Sequence, residues 1–421
     1  MKNCLFAFRE RRIQLTNKIS SLKSTRIINR LFGSIYTLTL ILTLTSCAVD
    51  LDDDDGIKTM AAGINHTVAL KADGTLWAWG GNSDGQLGDG ANTDCNTPVR
   101  VVGKDGIGYL EGVTAVTAGW YYTVALKADG TVWAWGSNAD GQLGDGTKIP
   151  RKTPVQVNDL VGVKAVAAGI NHTVALKADG TLRAWGDNTY GQLGIGTTDT
   201  YRNTPVQVVN LDNVVAVAAG NHTVAIKNGG TLWAWGSNYS GQLGNNSVST
   251  TINTPVQVKG AIGSGDEFLK DIITVFAGLS HTLAIKNDGT LLAWGQNGNG
   301  QLGLGDGGAS KESFPKPVGT DKNWALISGG SLYTIAGKSD GTIWAWGLNN
   351  YGQLGLGHTE DKSSPQRLGQ AADLVKVSAG NLHSAALRRS GILWTWGDNQ
   401  DGQLGDGTNY NRSKPGLVKW D

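Results

Sequence analysis

Five histidines, His66, His172, His222, His281 and His383, occupy one recurring place in the chain, and Tyr122 and Tyr333 stand there in two further copies. Imidazole is the commonest metal ligand and general base, so a metal centre or acid–base site is the first chemistry to test. The spacing argues against both: the copies are about fifty residues or more apart, and tyrosine substitutes for histidine without any other ligand type appearing. The expectation is structural, with each side chain tying a strand to a neighbouring loop. Asp73, Asp129, Asp179, Asp288 and Asp340 each precede a glycine and read as hairpin-turn residues. Residues 82–89, 138–145 and 399–406 look faintly like calcium loops, but they lack the alternating acids and terminal Glu, and other copies hold Tyr190 and Ile195 or Tyr351 and Leu356 at those places. The glycine-rich loops have no lysine and no strand-to-helix context with which to cradle a phosphate. No Ser-His-Asp, paired-carboxylate or Cys-His arrangement stands apart from the repeating frame. No catalytic residue, no metal and no cofactor is expected, and the chain reads as a non-enzyme.

The frame itself is a repeat. The tetrapeptide Gly-Gln-Leu-Gly begins at Gly85, Gly141, Gly191, Gly241, Gly300, Gly352 and Gly402. Successive starts lie 56, 50, 50, 59, 52 and 50 residues apart, and a period near 50 means a repeat architecture. In the plainest copy, residues 163–168 and 172–177 are apolar runs, Asp179-Gly180 is a two-residue hairpin signal, residues 181–185 form a third strand, and residues 205–209 a fourth that starts at a proline. One such sheet cannot bury both faces, whereas sheets set radially stack on one another. The fold class is therefore all-β, a seven-bladed propeller of four-stranded antiparallel blades. The first two strands are rich in Ala, Gly and Val, as crowding near an axis demands. The third carries tryptophan pairs, Trp77 and Trp79 for example, expected to form core between blades. All copies run in the same phase, and the expected closure is offset by one strand, residues 415–418 completing a blade begun at Ile57.

The joined motifs Ala-Gly-x-x-His-Thr-x-Ala-Leu, Asp-Gly-x-x-x-x-Trp-Gly and Asn-x-x-Gly-Gln-Leu-Gly resemble the regulator-of-chromosome-condensation repeat family over all of the chain after about Ile57. The resemblance implies a seven-bladed propeller and does not settle an activity. A eukaryotic member of that family acts as a nucleotide exchange factor through a protruding wedge; residues 103–112 and 259–270 are the longer connections here, and neither reads clearly as one. A plant relative senses ultraviolet light through Trp and Arg clusters, whereas here a single copy has such a tryptophan and no arginine accompanies it. A secreted β-lactamase inhibitory protein has a similar propeller and binds its target by one face.

Ahead of the repeats the chain is different. Residues 1–30 hold eight Lys or Arg against Glu10, and an apolar run follows over residues 31–46. That run is shorter than the roughly 20 residues a membrane-spanning helix needs, and basic-then-apolar order is the plan of a secretory signal. It ends Leu44-Thr45-Ser46-Cys47, which resembles a bacterial lipobox and implies a lipidated Cys47. The expected organisation is a signal over 1–46, an acidic tether over 47–56 and the propeller over 57–421, anchored in a bacterial cell envelope at the outer membrane or cell surface, or else secreted. Of the 36 basic and 35 acidic residues, eight and one precede the apolar run, which leaves 28 against 34 and a net charge of about −6. Such a surface is no nucleic-acid footprint. Beyond Cys47, only Cys95 is a cysteine after residue 46, so no disulfide framework stabilises the ring.

Differences between copies mark where a partner would bind. Between Gly-Gln-Leu-Gly and the fourth strand the segments 147–152, 197–203, 245–253, 306–315 and 408–412 vary in length and chemistry and should cluster on one face. The partner-binding candidates are Trp120, Tyr121 and Tyr122, which break the pattern of their copy, with Arg151, Lys152, Tyr201, Arg202, Phe314, Tyr410 and Arg412 in the variable segments. Arg183, at a place where five copies have Trp, marks a similar local edge. The expected function is a monomeric, lipid-anchored platform for a protein partner, with exchange of nucleotide on a small GTPase or inhibition of an envelope or extracellular enzyme as alternatives.

Overall fold

The computed structural model describes residues 56–247, 249–260, 267–305, 310–369 and 373–420; the signal, Cys47 and the tether before Gly56 lie outside them. Among the described residues, strands fall into seven four-stranded antiparallel sheets, each in simple chain order. The first comprises Ile57–Ala62, His66–Lys71, Leu76–Gly80 and Cys95–Arg100, and the seventh Leu374–Ala379, His383–Arg388, Leu393–Gly397 and Arg412–Leu417. The ends of all seven innermost strands line one central cavity, which makes the sheets blades of a ring. No helix among the described residues is long and apolar enough to cross a membrane.

Blades coincide with repeats, so the expected offset closure is wrong: Arg412–Leu417 pairs with the third strand of its own blade and not with Ile57–Ala62. The seam between blades seven and one is closed by side chains. Ile57, Met60 and Trp79 of blade one share a core with Leu387, Leu393 and Val418 of blade seven. Trp420 meets Trp77 and Trp79 edge-on at 6.0 and 5.7 Å, and Lys376 Nζ donates to Thr59 Oγ1 at 2.6 Å. Burial lowers the Lys376 ammonium to about 8. An exchanged strand is unnecessary because this seam has the glutamine-carbonyl bonds common to the other seams together with these contacts.

The recurring bond is built from the motif residues. The first Gly of Gly-Gln-Leu-Gly has positive φ, +82° at Gly85, and a Cβ there would lie 2.6 Å from the Cα of Lys152 in the next blade. The Gln side chain caps its own loop, as where Asp84 N–H donates to Gln86 Oε1 at 3.0 Å. Its carbonyl accepts two bonds from the next blade: Gln86 O from Thr123 Oγ1 (2.9 Å) and Trp135 Nε1 (3.0 Å), and so round the ring to Gln403 O, which accepts from Thr67 and Trp79. The Leu is fully buried at Leu87. The last Gly sits under the next blade's indole, where a Cβ on Gly88 would come within 2.6 Å of Trp135 Nε1.

Two expectations about strands need correction. The fourth strand starts before its proline: Tyr201–Gln207 pairs through Arg202 and again through Val206, with a register shift between that leaves Pro205 in a bulge on the outermost edge. A missing N–H is harmless there. The tryptophans also divide. Trp79, Trp135, Trp235, Trp346 and Trp396 are fully buried, but Trp77, Trp133, Trp233, Trp344 and Trp394 are only half-buried. These outer indoles lie under a cation from the second strand, such as Lys71 at 5.2 Å and Lys338 at 4.0 Å.

Candidate functional site

The histidines do not tie a strand to a loop, as expected; they join strands of adjacent blades. His66 Nε2 lies 3.0 Å from Thr123 Oγ1, His172 Nε2 2.9 Å from Thr223, His222 Nε2 2.7 Å from Thr282, and His281 Nε2 3.4 Å from Thr334. Each of these threonines donates its only hydroxyl proton to a glutamine carbonyl, so the histidine must be the donor, as the Nε2–H tautomer. In blades two and six the phenols take over: Tyr122 donates to His172 O at 2.6 Å, and Tyr333 donates to His383 O. Burial holds His66, His222 and His383 down to about 3 and His172 and His281 to about 4, and it raises both phenols. Neutral, enclosed imidazoles of this kind are latches. No group of three or more His, Cys, Asp or Glu among the described residues could hold a metal ion.

Strand direction sorts the loops onto two faces. First-to-second turns and third-to-fourth loops emerge together on one face, here the cavity face; second-to-third hairpins and the connections between blades emerge on the other, the hairpin face. Every partner-binding candidate belongs to the cavity face. Trp120 and Tyr121 are half-buried at its centre. Tyr201 is 36% exposed beneath Lys148 of the preceding blade, 4.0 Å from the ring centroid. Tyr410 is 82% exposed, Lys152 is exposed and Phe314 half-buried. Three candidates are already engaged: Arg151 holds Asp145 through Nε and Nη2 at 2.9 and 2.8 Å, Arg202 holds Asp199, and Arg412 reaches Asp406 at 3.3 Å. Tyr122 is a correction, since its ring is fully buried as a latch and offers a partner nothing. Arg183 replaces the outer indole of blade three, where Lys177 pairs with Asp179 at 3.7 Å instead of covering a ring.

At the centre of this face the cavity has a volume of about 280 Å³. Ile64, Trp120, Ile170, Leu279 and Phe276 supply apolar lining, and Thr117, Ser328, Ser331 and Ser378 supply hydroxyls. Backbone bonds run from blade to blade around the collar, Ile64 N to Trp120 O (3.1 Å), Trp120 N to Ile170 O (3.4 Å) and Ile170 N to Gly220 O (3.0 Å). Ser378 and Ser328 accept N–H bonds from Ala62 and Ala379 at 3.0 and 2.9 Å, which satisfies edges that an innermost strand otherwise leaves bare. Ser331, 9% exposed, lines the same cavity.

Carboxylates lie beside two of the turns that form the collar. Asn65, next to Ile64, donates to Asp401 Oδ2 at 2.7 Å, and Asn171, next to Ile170, bonds Asp140. Burial and the neighbouring Asp187 raise Asp140 against the pull of Lys148; burial and Asp94 raise Asp401; burial and Asp401 raise Asp398. None of Asp94, Asp140, Asp187, Asp398 or Asp401 joins an ion pair among the described residues. On the hairpin face Asp212, Asp321 and Asp373 pair with Lys227, Lys338 and Arg388 at 2.8, 2.7 and 2.8 Å, as Asp145, Asp199 and Asp406 pair with arginines on the cavity face. These carboxylates and Ser331 were not singled out from the sequence, because their placement on one face comes from ring closure and not from spacing. The long connections are on the hairpin face. Residues 103–112 fold back on their own blade through a Val102–Tyr109 bridge and an Arg100 guanidinium 3.8 Å over the Tyr109 ring, although Ile107 stays 79% exposed. Lys259 likewise bridges to Phe268.

Comparison with known proteins places this geometry. A family model described as an RCC1-like domain matches residues 39–270 and 221–420. Among curated relatives, the ultraviolet-B receptor of Arabidopsis thaliana is 36% identical over 109 residues, 25% of this chain and 24% of the receptor. The mitochondrial RCC1 domain-containing protein RUG3 of Arabidopsis thaliana is 33% identical over 104 residues, 25% of this chain and 22% of that protein. These alignments thus span about a quarter of each relative. Among solved structures, human WBSCR16 aligns at TM-score 0.68 and 24% identity, covering 80% of this chain and 88% of that one. Prp20p of Saccharomyces cerevisiae aligns at TM-score 0.69 and 23% identity, covering 85% and 86%. At these identities the structures establish the fold.

Proposed function

Since the chain belongs to the RCC1-like domain family, we propose that it is a rigid protein-binding platform whose partner docks on the cavity face. One observation carries this reading: the variable third-to-fourth loops, the exposed Tyr201 and Tyr410 and the half-buried Trp120 and Tyr121 share a face centred on an open cavity. Aromatic anchors on a preorganised scaffold are what protein interfaces use for affinity, because little conformational entropy is lost on binding. Prp20p, similar in fold, was solved in a study of its binding to Gsp1p and histones, so rings of this build do take protein partners. Catalysis is no part of the proposal. The test is affinity capture from envelope and culture proteins with the full chain, beside a variant carrying Trp120→Ala, Tyr121→Ala and Tyr201→Ala and a hairpin-face variant carrying Ile107→Ala and Val161→Ala. A partner lost only with the first variant supports the reading; a partner lost only with the second moves the site to the other face.

In the same proposal residues 1–46 are a lipoprotein signal and Cys47 carries the lipid, holding the protein in a bacterial cell envelope. What supports it is the order of basic stretch, apolar run and Leu-Thr-Ser-Cys. The innermost strand of blade one starts at Ile57 from the hairpin face, and the ten or so residues from Cys47 reach at most about 35 Å when extended. Cys47→Ala should move the protein from the membrane to the soluble fraction, and its retention in the membrane would refute the anchor.

A further inference from the structure

We infer that the central cavity is a binding site for a small amphiphilic acid, an apolar body that carries one carboxylate, with the carboxylate seated at blades six and seven and the apolar body against blades three to five. This site stands whether or not a protein partner docks on the face around it. At the fifth residue of the innermost strand, blades six and seven carry Ser328 and Ser378 and blade two carries Thr117, where the other blades carry Ala or Phe276; all of these line the cavity. Each hydroxyl accepts an N–H from the next blade, those of Ala379, Ala62 and Ala168 at 2.9, 3.0 and 3.4 Å. The bond holds the oxygen in place, and the hydroxyl's own proton, which has no acceptor among the described residues, is left to donate. Ser328 is 4% exposed and borders the cavity, so an acceptor for its proton has to come from there.

A cation lies below these hydroxyls. Lys376 stands two residues before Ser378 in unbroken register, hence on the same side of the strand and about 7 Å deeper. Its ammonium donates to Thr59 Oγ1 across the seam and joins no ion pair among the described residues. At about 8 it is still mostly charged at neutral pH. No Asp or Glu occurs in any of the seven innermost strands or among the residues that line the cavity. Asp140 and Asp401, bonded to Asn171 and Asn65 of the collar turns, line none of it. A carboxylate that accepts from Ser328 and Ser378 above a lone ammonium gains charge-assisted hydrogen bonds, whereas an amine there would meet donors and a like charge. Across the cavity, blades three to five present Ile170, Val217, Phe276 and Leu279, an apolar wall. A cavity of about 150 Å³ holds benzene, so a volume of about 280 Å³ suits about ten heavy atoms, the size of an aryl or short alkyl acid.

The probes are 3-phenylpropionate, its amide and 3-phenylpropylamine, titrated calorimetrically into the full chain. The acid should bind at least tenfold tighter than the amide, and the amine should not bind detectably. Lys376→Gln should weaken the acid at least fivefold and leave the amide unchanged, so that amide binding reports an intact cavity in the variant; Ser328→Ala should weaken acid and amide together. Equal affinity for acid and amide, tighter binding of the amine, or no binding of any probe to the unmodified chain overturns the site. So does acid affinity that survives both Lys376→Gln and Ser328→Ala, since the acid is then held elsewhere. The tripeptide Gly-Gly-Phe with a free and with an amidated terminus tells two sources of such an acid apart. Carboxylate-dependent binding of the tripeptide assigns the site to the carboxyl end of a protein, and binding of 3-phenylpropionate alone assigns it to a free small acid. No protein partner enters these titrations, so their failure leaves the capture experiment to decide the docking face by itself.

Discussion

His383 in blade seven lies 2.9 Å from Thr67 Oγ1 in blade one, so the last repeat is joined to the first by the same histidine-to-threonine contact that serves four of the other junctions, Tyr122 and Tyr333 serving the remaining two. The Thr67 hydroxyl donates to Gln403 O, where the Trp79 indole N–H also donates. Seven repeats close because seven latches meet head to tail.

If the seam is equivalent to any other junction, His383→Ala and His222→Ala should destabilise the ring by similar amounts, about 2–3 kcal/mol each from a lost buried bond and the space left behind. Urea unfolding of both variants checks this. A cost for His383→Ala much larger than for His222→Ala would mean that the seam depends on this one latch more than the internal junctions do.

The latches also set a pH dependence. The five histidines are neutral and buried, held at about 3 to 4 against the ordinary 6.5. Their folded values lie below the unfolded one, so below pH 6.5 the unfolded chain binds more protons and stability falls as the pH drops toward 4. Each histidine adds about 1.4 kcal/mol per pH unit to that slope. His172→Tyr, the exchange already present in blades two and six, should keep the fold and remove one proton's share of the slope. Melting temperatures measured from pH 7.5 to 4.5 would show it, and an unchanged slope would contradict it.

Much of this was legible in the sequence, and the remainder was hidden for physical reasons. The Gly-Gln-Leu-Gly spacing and the hairpin at Asp179-Gly180 state the blade number and strand order, because short-range turn chemistry and period are local properties. The partner of His66 is Thr123, in another blade, and no spacing announces it. Ring closure defeated the expectation of an offset strand: same-phase repeats fit either arrangement, and side chains such as Trp420 decided between them. At the candidate site, the shared face of Trp120, Tyr201 and Tyr410 was readable from strand alternation, while the burial of Tyr122 and the capture of Arg151 by Asp145 depend on contacts across loops.

Two glycines separate backbone strain from collision. Gly74 has φ +85° and open space around its Cβ position, whereas at Gly405, φ +66°, a Cβ would lie 2.6 Å from Trp79 Nε1. Gly74→Ala should cost about 1–2 kcal/mol, the left-handed conformation alone. Gly405→Ala adds displacement of the seam indole and should cost clearly more. Equal losses in chemical denaturation would show that the indole gives way freely.

The inner and outer tryptophans should respond differently to truncation. Trp79→Ala opens a cavity in a closed seam and leaves Gln403 O short of a donor, a loss of about 3–5 kcal/mol. Trp77 is half-buried between Lys71 and Trp420, and Trp77→Ala should cost about 1–2 kcal/mol, the scale of exposed cation–π and edge-on ring contacts. Unfolding midpoints at a common slope would rank the pair.

The most direct measurement of the central claim is site-specific photo-crosslinking in cells producing the full chain, with benzoylphenylalanine placed in turn at Trp120, Tyr201 and Tyr410 on the cavity face and at Ile107, Val161 and Ile392 on the hairpin face. A binding platform that works through the cavity face predicts one protein adduct of constant mass from the first three positions and none from the other three. Adducts from the hairpin face alone, or from no position at all, would contradict it.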